Sequence, residues 1–277
     1  MSKSKSAPVS SKPSAFAPVR AAFVAFRARP LALLPALGAC ALAHVLGRVC
    51  NYFLPLLIPD SSFLLQQAVC YAFNALSMLV DTAVALYVLR VFVRGERPGL
   101  STLIEPLRWP AAYPKALFVY VFFPVIFLAC AILLTVLFSI FGKSAQMFVG
   151  IPFIFMISAV DLYWFNGSAV LLAVTRGKCR LRDFFVCPAR SVGSLCAIFL
   201  CVDLLFMIVT FVPILPVILA APTLDQATLQ LLALAQSTAA LTPWTLVANI
   251  LSILISLPRY AALGFLYERA VPASTSE

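Results

Sequence analysis

The sequence predicts an all-α fold, a polytopic bundle of six transmembrane helices. The helices are expected to form three pseudo-repeated hairpins, each preceded by an amphipathic segment on the inner surface. The first observation behind this prediction is compositional: of 277 residues, 63% are apolar and 11% are charged, and the mean hydropathy is +1.03. A typical soluble domain is roughly 45–50% apolar and about 25% charged. The composition therefore excludes a soluble globular protein, and it excludes a disordered chain, which needs low hydrophobicity.

The second observation is the length of the apolar runs. A helix needs about 20 apolar residues to cross the hydrocarbon core of a bilayer. Six windows meet this requirement: 31–54, 69–92, 116–140, 147–173, 195–219 and 241–264. They predict one integral membrane domain over residues 14–268, with a disordered basic tail at 1–13 and a short tail at 269–277.

The third observation is that cations collect on alternate connections. The N-terminal tail, 90–115, 176–194 and the C-terminal end hold 6, 5, 5 and 2 of the 20 Lys and Arg residues. The opposite connections, 55–68, 141–146 and 220–240, hold only Lys143, and the remaining cation, Arg48, lies near the outer end of the first window. Cytoplasmic loops of membrane proteins carry an excess of Lys and Arg. Both termini are therefore predicted to be cytoplasmic, in a bacterial inner membrane or, alternatively, an organellar inner membrane.

The two long basic connections share a motif at an offset of 82 residues. Each contains an Arg-Gly pair, a polar residue, an apolar residue, a proline and an arginine: Arg94, Gly95, Ser101, Ile104, Pro106 and Arg108, and then Arg176, Gly177, Asp183, Val186, Pro188 and Arg190. The N-terminus repeats the end of this motif in Phe16, Pro18 and Arg20. We infer three repeat units, at 14–100, 101–182 and 183–268.

Each repeat unit is expected to begin with a short helix lying on the inner membrane surface. Ser101 or Asp183 can cap such a helix. Its apolar side would enter the acyl boundary while Arg20, Arg108 or Arg190 reaches phospholipid phosphates. The net charge of +10 is thus assigned to anionic lipids of the inner leaflet, and nucleic acid is not expected as a partner.

The repeated Arg-Gly and Pro-x-Arg connections, together with the final LPRYAALGFLYERA, carry a family resemblance. The chain resembles the integral membrane families typified by the membrane domain of glycerophosphoryl diester phosphodiesterase, which are also built from repeated hairpins with inner amphipathic segments. The resemblance implies an integral membrane module. We expect no counterpart of the soluble phosphodiesterase domain, so the resemblance implies no catalytic residue.

Three carboxylates fall inside apolar windows: Asp81, Asp161 and Asp203. Each costs about 2.5–3.5 kcal/mol at mid-bilayer, so each is expected to have a compensating interaction. They either line a proton or cation path, or donate hydrogen bonds between helices when protonated, or pair with a cation of another subunit. Arg259 lies at a depth comparable with that of Asp203, and we predict that these two side chains pair.

The sequence contains few residues in patterns that are typical of catalytic or metal sites. His44 is the only histidine, and no Gly-x-Ser-x-Gly motif accompanies it. We therefore predict no catalytic, cofactor or metal site. The function expected is that of a non-enzymatic subunit or scaffold of a membrane assembly, with a protein partner or a second copy of the chain. The alternative is a transporter or permease-like protein for a small solute or lipid that uses the intramembrane aspartates.

Overall fold

The computed structural model describes residues 14–42, 63–97, 99–204, 208 and 243–270, and all regular structure in these ranges is helical. The all-α prediction is therefore confirmed for this part of the chain. The tail at 1–13, the connection at 220–240 and His44 lie outside the described residues.

Seven α-helices are described, together with short 3₁₀ and π turns. In chain order they are α1 (Ala17–Ala28), a 3₁₀ turn (Pro30–Ala32), α2 (33–42), α3 (Phe63–Val88), a π turn (Leu89–Val93), two 3₁₀ turns (Leu100–Leu103 and Pro106–Arg108), α4 (Ala112–Val174), α5 (Asp183–Arg190), α6 (Val192–Ile198), a π turn (Phe199–Asp203) and α7 (Pro243–Ala270). Helix α7 extends two residues past the predicted end of the membrane domain.

One stretch, Ala75–Val93, is by itself long and apolar enough to cross a membrane. Two further candidates are bent pairs: α1 meets Pro30–Leu42 at 99°, and α5 meets Val192–Asp203 at 76°. Among the described residues, one to three helices thus have the length and composition of a span, and the six-span bundle stays a prediction. The first bend has a local cause, because Pro30 disfavours helical geometry at Arg29, which is non-helical with φ −140° and ψ 61°.

The predicted connection at 141–146 is wrong at the level of secondary structure. The backbone is helical without interruption from Ala112 to Val174, through both predicted spans and the residues between them. Lys143 marks a polar point in the sequence, but Lys, Ser, Ala and Gln are all tolerated in a helix, and a single glycine does not end one.

Helix α4 nevertheless folds back on itself. The Trp164 indole N–H donates a hydrogen bond to the Val119 carbonyl at 2.9 Å, and the rings of Phe123 and Phe165 lie 4.9 Å apart. In a straight helix, residues 45 positions apart would be separated by about 68 Å. The chain must therefore reverse between residues 123 and 163, so the hairpin predicted there is retained although its loop is helical.

The segments predicted to share the inner face meet at one end of the helices. The guanidinium of Arg29 donates to the carbonyls of Val91 at 3.1 Å and Glu96 at 3.2 Å, so the end of α1 caps the end of the π turn that follows α3. The Nε atom of Arg94 lies 2.6 Å from Glu268 Oε1, which joins the same connection to the end of α7.

The second Arg-Gly turn joins the same assembly. Lys115 Nζ donates to the Gly177 carbonyl, so a cation near the start of α4 caps the turn that follows its end. Gly95 and Gly177 both have a left-handed backbone, with φ of 72° and 73°. A Cβ at Gly177 would lie 3.3 Å from the Cβ of Ala112. This turn therefore requires glycine for its conformation and for its close approach to α4.

The Gly177→Ala substitution is expected to lower stability by about 1–2 kcal/mol, because alanine is strained in the left-handed region and its methyl group meets Ala112. Thermal or denaturant unfolding in detergent micelles measures the change. Gly193→Ala is the matched control: Gly193 lies in α6, and a Cβ added there would meet no neighbouring atom within 4 Å. That variant should be as stable as the unmodified protein or more stable, and equal losses in both would contradict the turn argument.

Candidate functional site

A buried ion pair lies where α4, the end of α6 and α7 meet. The Asp203 side chain is 0% exposed and that of Arg259 is 4% exposed. Arg259 donates to Asp203 Oδ1 from Nε at 2.8 Å and also from Nη2. The Tyr163 hydroxyl donates to the other carboxylate oxygen, Oδ2, at 2.6 Å. The pairing of Asp203 with Arg259 predicted from the sequence is confirmed.

Asp203 and Arg259 each lie at a point where the backbone departs from a regular α-helix. Asp203 ends the π turn Phe199–Asp203, in which an extra residue per turn changes the direction of the following side chains. Arg259 follows Pro258, which lies inside α7 and cannot donate a backbone hydrogen bond. Each partner thus stands beside an irregularity of an otherwise regular helix.

Asp81 lies on α3 and is partly exposed. Its carboxylate accepts a hydrogen bond from the hydroxyl of Tyr260, the residue after Arg259 on α7. Asp81 and Asp203 are therefore held by consecutive residues of one helix. The side chain of Asp161 lies outside what the structure describes, although its backbone is part of α4.

Sequence reasoning missed the two tyrosines of this site. It considered cations and, for protonated aspartates, hydrogen bonds to neighbouring helices, but it named no hydroxyl donor. Tyr163 is two residues from Asp161, and Tyr260 adjoins Arg259. A hydroxyl at the same depth as an aspartate is a signal that could have found both, because a tyrosine donor stabilises a buried carboxylate without adding a second buried charge.

The predicted headgroup-binding residues Arg20, Arg108 and Arg190 are all exposed. Arg108 ends a 3₁₀ turn and Arg190 ends α5, so two of the three occupy the last position of a short helix. Of the prolines two positions earlier, Pro18 and Pro106 are buried and Pro188 is half-buried. In these three segments the proline is thus less exposed than the arginine that follows it.

Carboxylates at this end of the molecule are engaged by neighbouring groups. Arg90 Nη2 lies 2.8 Å from Glu105 Oε2, and Arg90 Nε lies 3.9 Å from Glu96 Oε2. Glu268 pairs with Arg94. Their charge is therefore neutralised locally. We use the name basic rim for the exposed cations that remain at this end: Arg20, Arg27, Arg97, Arg108, Arg176, Arg180, Arg182, Arg190 and Arg269.

Neither of the two predicted helix caps is observed. Helix α5 has Arg182 at its cap position without a side-chain cap hydrogen bond, and Asp183 Oδ2 instead accepts from the Arg180 backbone N–H at 2.7 Å, in the turn ahead of the helix. Ser101 does not cap, because the 3₁₀ turn Leu100–Leu103 has Gly99 at its cap position and no side-chain cap hydrogen bond. The prediction for Ser101 is wrong because the turn begins before the serine rather than after it.

Two buried cysteines and the grouping of possible metal ligands bear on thiol and metal chemistry. Burial raises the pKa of the Cys179 and Cys187 thiols, which keeps both protonated and weakly nucleophilic at neutral pH. No group of three or more His, Cys, Asp or Glu side chains within the described ranges is placed to hold a metal ion.

Comparison of the chain with protein families, with curated proteins and with solved structures finds no match. The resemblance to the membrane domain of glycerophosphoryl diester phosphodiesterase stays a prediction from the sequence.

Proposed function

We propose that this chain is a multi-pass membrane protein that acts as a non-enzymatic subunit or scaffold of a membrane assembly. The observation that carries the proposal is that both carboxylate oxygens of Asp203 already accept hydrogen bonds from side chains of this chain. Arg259 neutralises its charge, Tyr163 bonds its second oxygen, and its side chain is fully buried. A carboxylate in a translocation path must be free to exchange its partners for an ion or a proton, whereas a structural carboxylate keeps them.

The hydrogen bonds of the Asp203 carboxylate also link three elements of the fold. Tyr163 belongs to α4, Asp203 follows α6 and Arg259 belongs to α7. In lipid, helices have little hydrophobic reason to associate, so packing and interhelical hydrogen bonds hold them together. A rigid bundle with its polar groups turned inward is suited to present surfaces to lipids and partner proteins.

The proposed placement puts both termini and the basic rim on the cytoplasmic side. Support comes from the meeting of the four basic segments at one end and from the bends of 99° and 76°. If α2 and α6 run across the bilayer, α1 and α5 lie nearly parallel to its surface. On α1, Phe23 and Val24 are 52% and 62% exposed beside exposed Arg20 and Arg27, as an interfacial helix requires.

The proposal includes the three repeat units at 14–100, 101–182 and 183–268. Two Arg-Gly turns with nearly equal glycine φ values, each capped by a cation from the start of its own unit, support a shared origin. Each unit would place one arginine of the Pro-x-Arg pattern on the inner surface.

Purification in a mild detergent with endogenous lipids, followed by reconstitution into liposomes, tests the proposed function. We expect a stoichiometric protein partner or a homo-oligomer, and no proton or solute flux above that of protein-free liposomes. Flux that is lost in Asp81→Asn or Asp161→Asn would contradict the scaffold and favour the transporter or permease-like alternative.

Neutralising the three Pro-x-Arg arginines should weaken binding of anionic lipid. Each basic residue near a membrane surface contributes about 1 kcal/mol, so the Arg20→Gln, Arg108→Gln, Arg190→Gln variant is expected to bind phosphatidylglycerol roughly 100-fold less tightly. Titration of the purified protein in neutral micelles measures the affinity.

The matched control replaces the same three arginines with lysine, which keeps the charge and removes the bidentate guanidinium. This variant should retain most of the affinity, and binding of phosphatidylcholine should be unchanged in both variants. An unaltered affinity for phosphatidylglycerol in the glutamine variant would remove these arginines from the lipid contact.

A further inference from the structure

A cavity of about 260 Å³ lies between α4, α5 and α7, and Tyr163, which bonds to Asp203, is one of its lining residues. Its walls are mostly apolar and aromatic, with Val160 and Trp164 from α4 and Phe184 and Phe185 from α5. An apolar cavity of about 150 Å³ already accommodates benzene, and drug-sized ligands occupy pockets from about 300 Å³ upward. The cavity therefore has room for one slender apolar ligand.

One polar atom at this cavity has no partner. The hydroxyl of Tyr267 is buried without a hydrogen bond, in a residue that is 1% exposed and lines the cavity. Leaving a buried donor unpaired is costly, so such a group calls for a specific explanation. An acceptor supplied by a bound molecule would satisfy it.

The wall opposite the hydroxyl has no side chain at its nearest residue. Gly167 faces it from α4, and a Cβ at that position would lie 3.0 Å from the tyrosine oxygen. Any larger residue would press on the hydroxyl. The absence of a side chain at Gly167 therefore preserves the space in which an acceptor can approach Tyr267.

The other polar groups in the cavity wall limit how polar a bound ligand can be. The Trp164 N–H is already bonded to Val119, and the Tyr163 hydroxyl is bonded to Asp203. The remaining polar side chains in the wall are Ser168 and Tyr267. A bound water typically needs two to four polar partners, whereas an apolar chain with a single acceptor needs one.

The position of the cavity within the fold indicates which kind of apolar ligand binds there. Its walls include Phe184, Phe185 and Pro188 of α5, the helix proposed to lie at the boundary between headgroups and acyl chains. The ester carbonyls of phospholipids lie at this same depth. Val160 and Phe185 are 38% and 40% exposed, so the cavity opens toward the surroundings of the helices.

We propose that this cavity binds one acyl chain of a membrane phospholipid, and that the Tyr267 hydroxyl donates a hydrogen bond to the ester carbonyl of that chain. The inference rests on the proposed membrane placement, but it does not depend on the basic rim or on anionic headgroups. It assigns the α4–α5–α7 junction as a lipid-chain site distinct from the surface contacts of Arg20, Arg108 and Arg190.

Photolabelling with a phosphatidylcholine that carries a diazirine in its acyl chain tests the site. The full-length protein is purified in dodecylmaltoside, supplied with the probe at low mole fraction and irradiated, and labelled peptides are mapped by mass spectrometry. We expect saturable labelling of cavity-lining residues between 160 and 188, retained when excess detergent has removed the loosely associated lipid.

Two variants separate the parts of the proposal. Val160→Trp fills the cavity from a partly exposed wall position and should abolish the labelling. Tyr267→Phe keeps the ring and should weaken probe binding about fivefold, the loss expected for one hydrogen bond. Tyr87→Phe, at a buried tyrosine outside the cavity, is the control and should bind the probe normally.

Each outcome decides a claim. Labelling outside the cavity only, or unchanged labelling in Val160→Trp, would overturn the site. Equal affinity in Tyr267→Phe would overturn the hydrogen bond, and a loss of stability without a loss of affinity would make Tyr267 a structural residue. Failure of the protein to enter micelles or liposomes would instead reject the proposed function, because that step precedes any use of the cavity.

Discussion

Replacing Arg259 with Gln is expected to lower the stability of the protein by about 3–5 kcal/mol. The substitution leaves the Asp203 carboxylate fully buried with the Tyr163 hydroxyl as its remaining described donor, and breaking one partner of a buried ion pair has a cost of this size. Denaturant unfolding in micelles, followed by tryptophan fluorescence or circular dichroism, measures the loss.

The Asp203→Asn, Arg259→Gln double variant is the matched control. It removes both charges but keeps an amide pair and an acceptor for Tyr163, so its stability should lie within about 1 kcal/mol of that of the unmodified protein. The charge exchange Asp203→Arg, Arg259→Asp should also recover part of the loss. If the double variant is as unstable as Arg259→Gln alone, the two residues do not act as a pair.

The contacts of Asp203 and Asp81 bear on the three roles that the sequence left open for the aspartates. A cation from the same chain, rather than from another subunit, compensates Asp203. Asp81 receives its hydrogen bond from Tyr260 on the same helix that carries Arg259. For these two carboxylates the contacts favour the role of interhelical linkage, and helix α7 supplies both partners.

Two features of the fold could be predicted from the sequence, because they depend on the composition of the chain and on the expected depth of its residues in a membrane. The pairing of Asp203 with Arg259 was predictable because an opposite charge at a similar depth is one way to compensate a charge in an apolar window. The meeting of the basic segments at one end followed from the alternation of their charge. Both inferences need only the order of residues along the chain and the cost of burying charge.

Other features depend on how helices pack, which the order of residues does not specify. The helical conformation of 141–146 was missed because polarity indicates exposure and not the backbone conformation. The cavity beside Tyr267 is formed by side chains from α4, α5 and α7, and no local pattern shows that these residues meet. The depth of Tyr163 could have marked it as a donor, but its choice of Asp203, 40 residues away, depends on this packing.

The second large effect is expected at the reversal within α4. Trp164 is 8% exposed, bonds to the Val119 carbonyl and packs 5.7 Å from the ring of Phe122 and 5.3 Å from that of Phe185. Trp164→Ala removes these contacts and should lower stability by about 3 kcal/mol, at the lower end for a buried aromatic residue because lipid partly replaces the lost apolar contacts. Unfolding in micelles measures this change.

Two further variants of α4 locate the source of that loss. Trp164→Phe keeps an aromatic ring but removes the indole N–H, so it should lose about 1 kcal/mol, the contribution of one hydrogen bond. Leu128 lies on an outward face and is 61% exposed, so Leu128→Ala should change stability by no more than about 0.5 kcal/mol.

If Trp164→Ala left stability unchanged, the two ends of α4 would not pack together. The helix would then run straight for about 95 Å, more than twice the roughly 40–45 Å thickness of a bilayer, so the reversal is also what allows α4 to fit within one membrane.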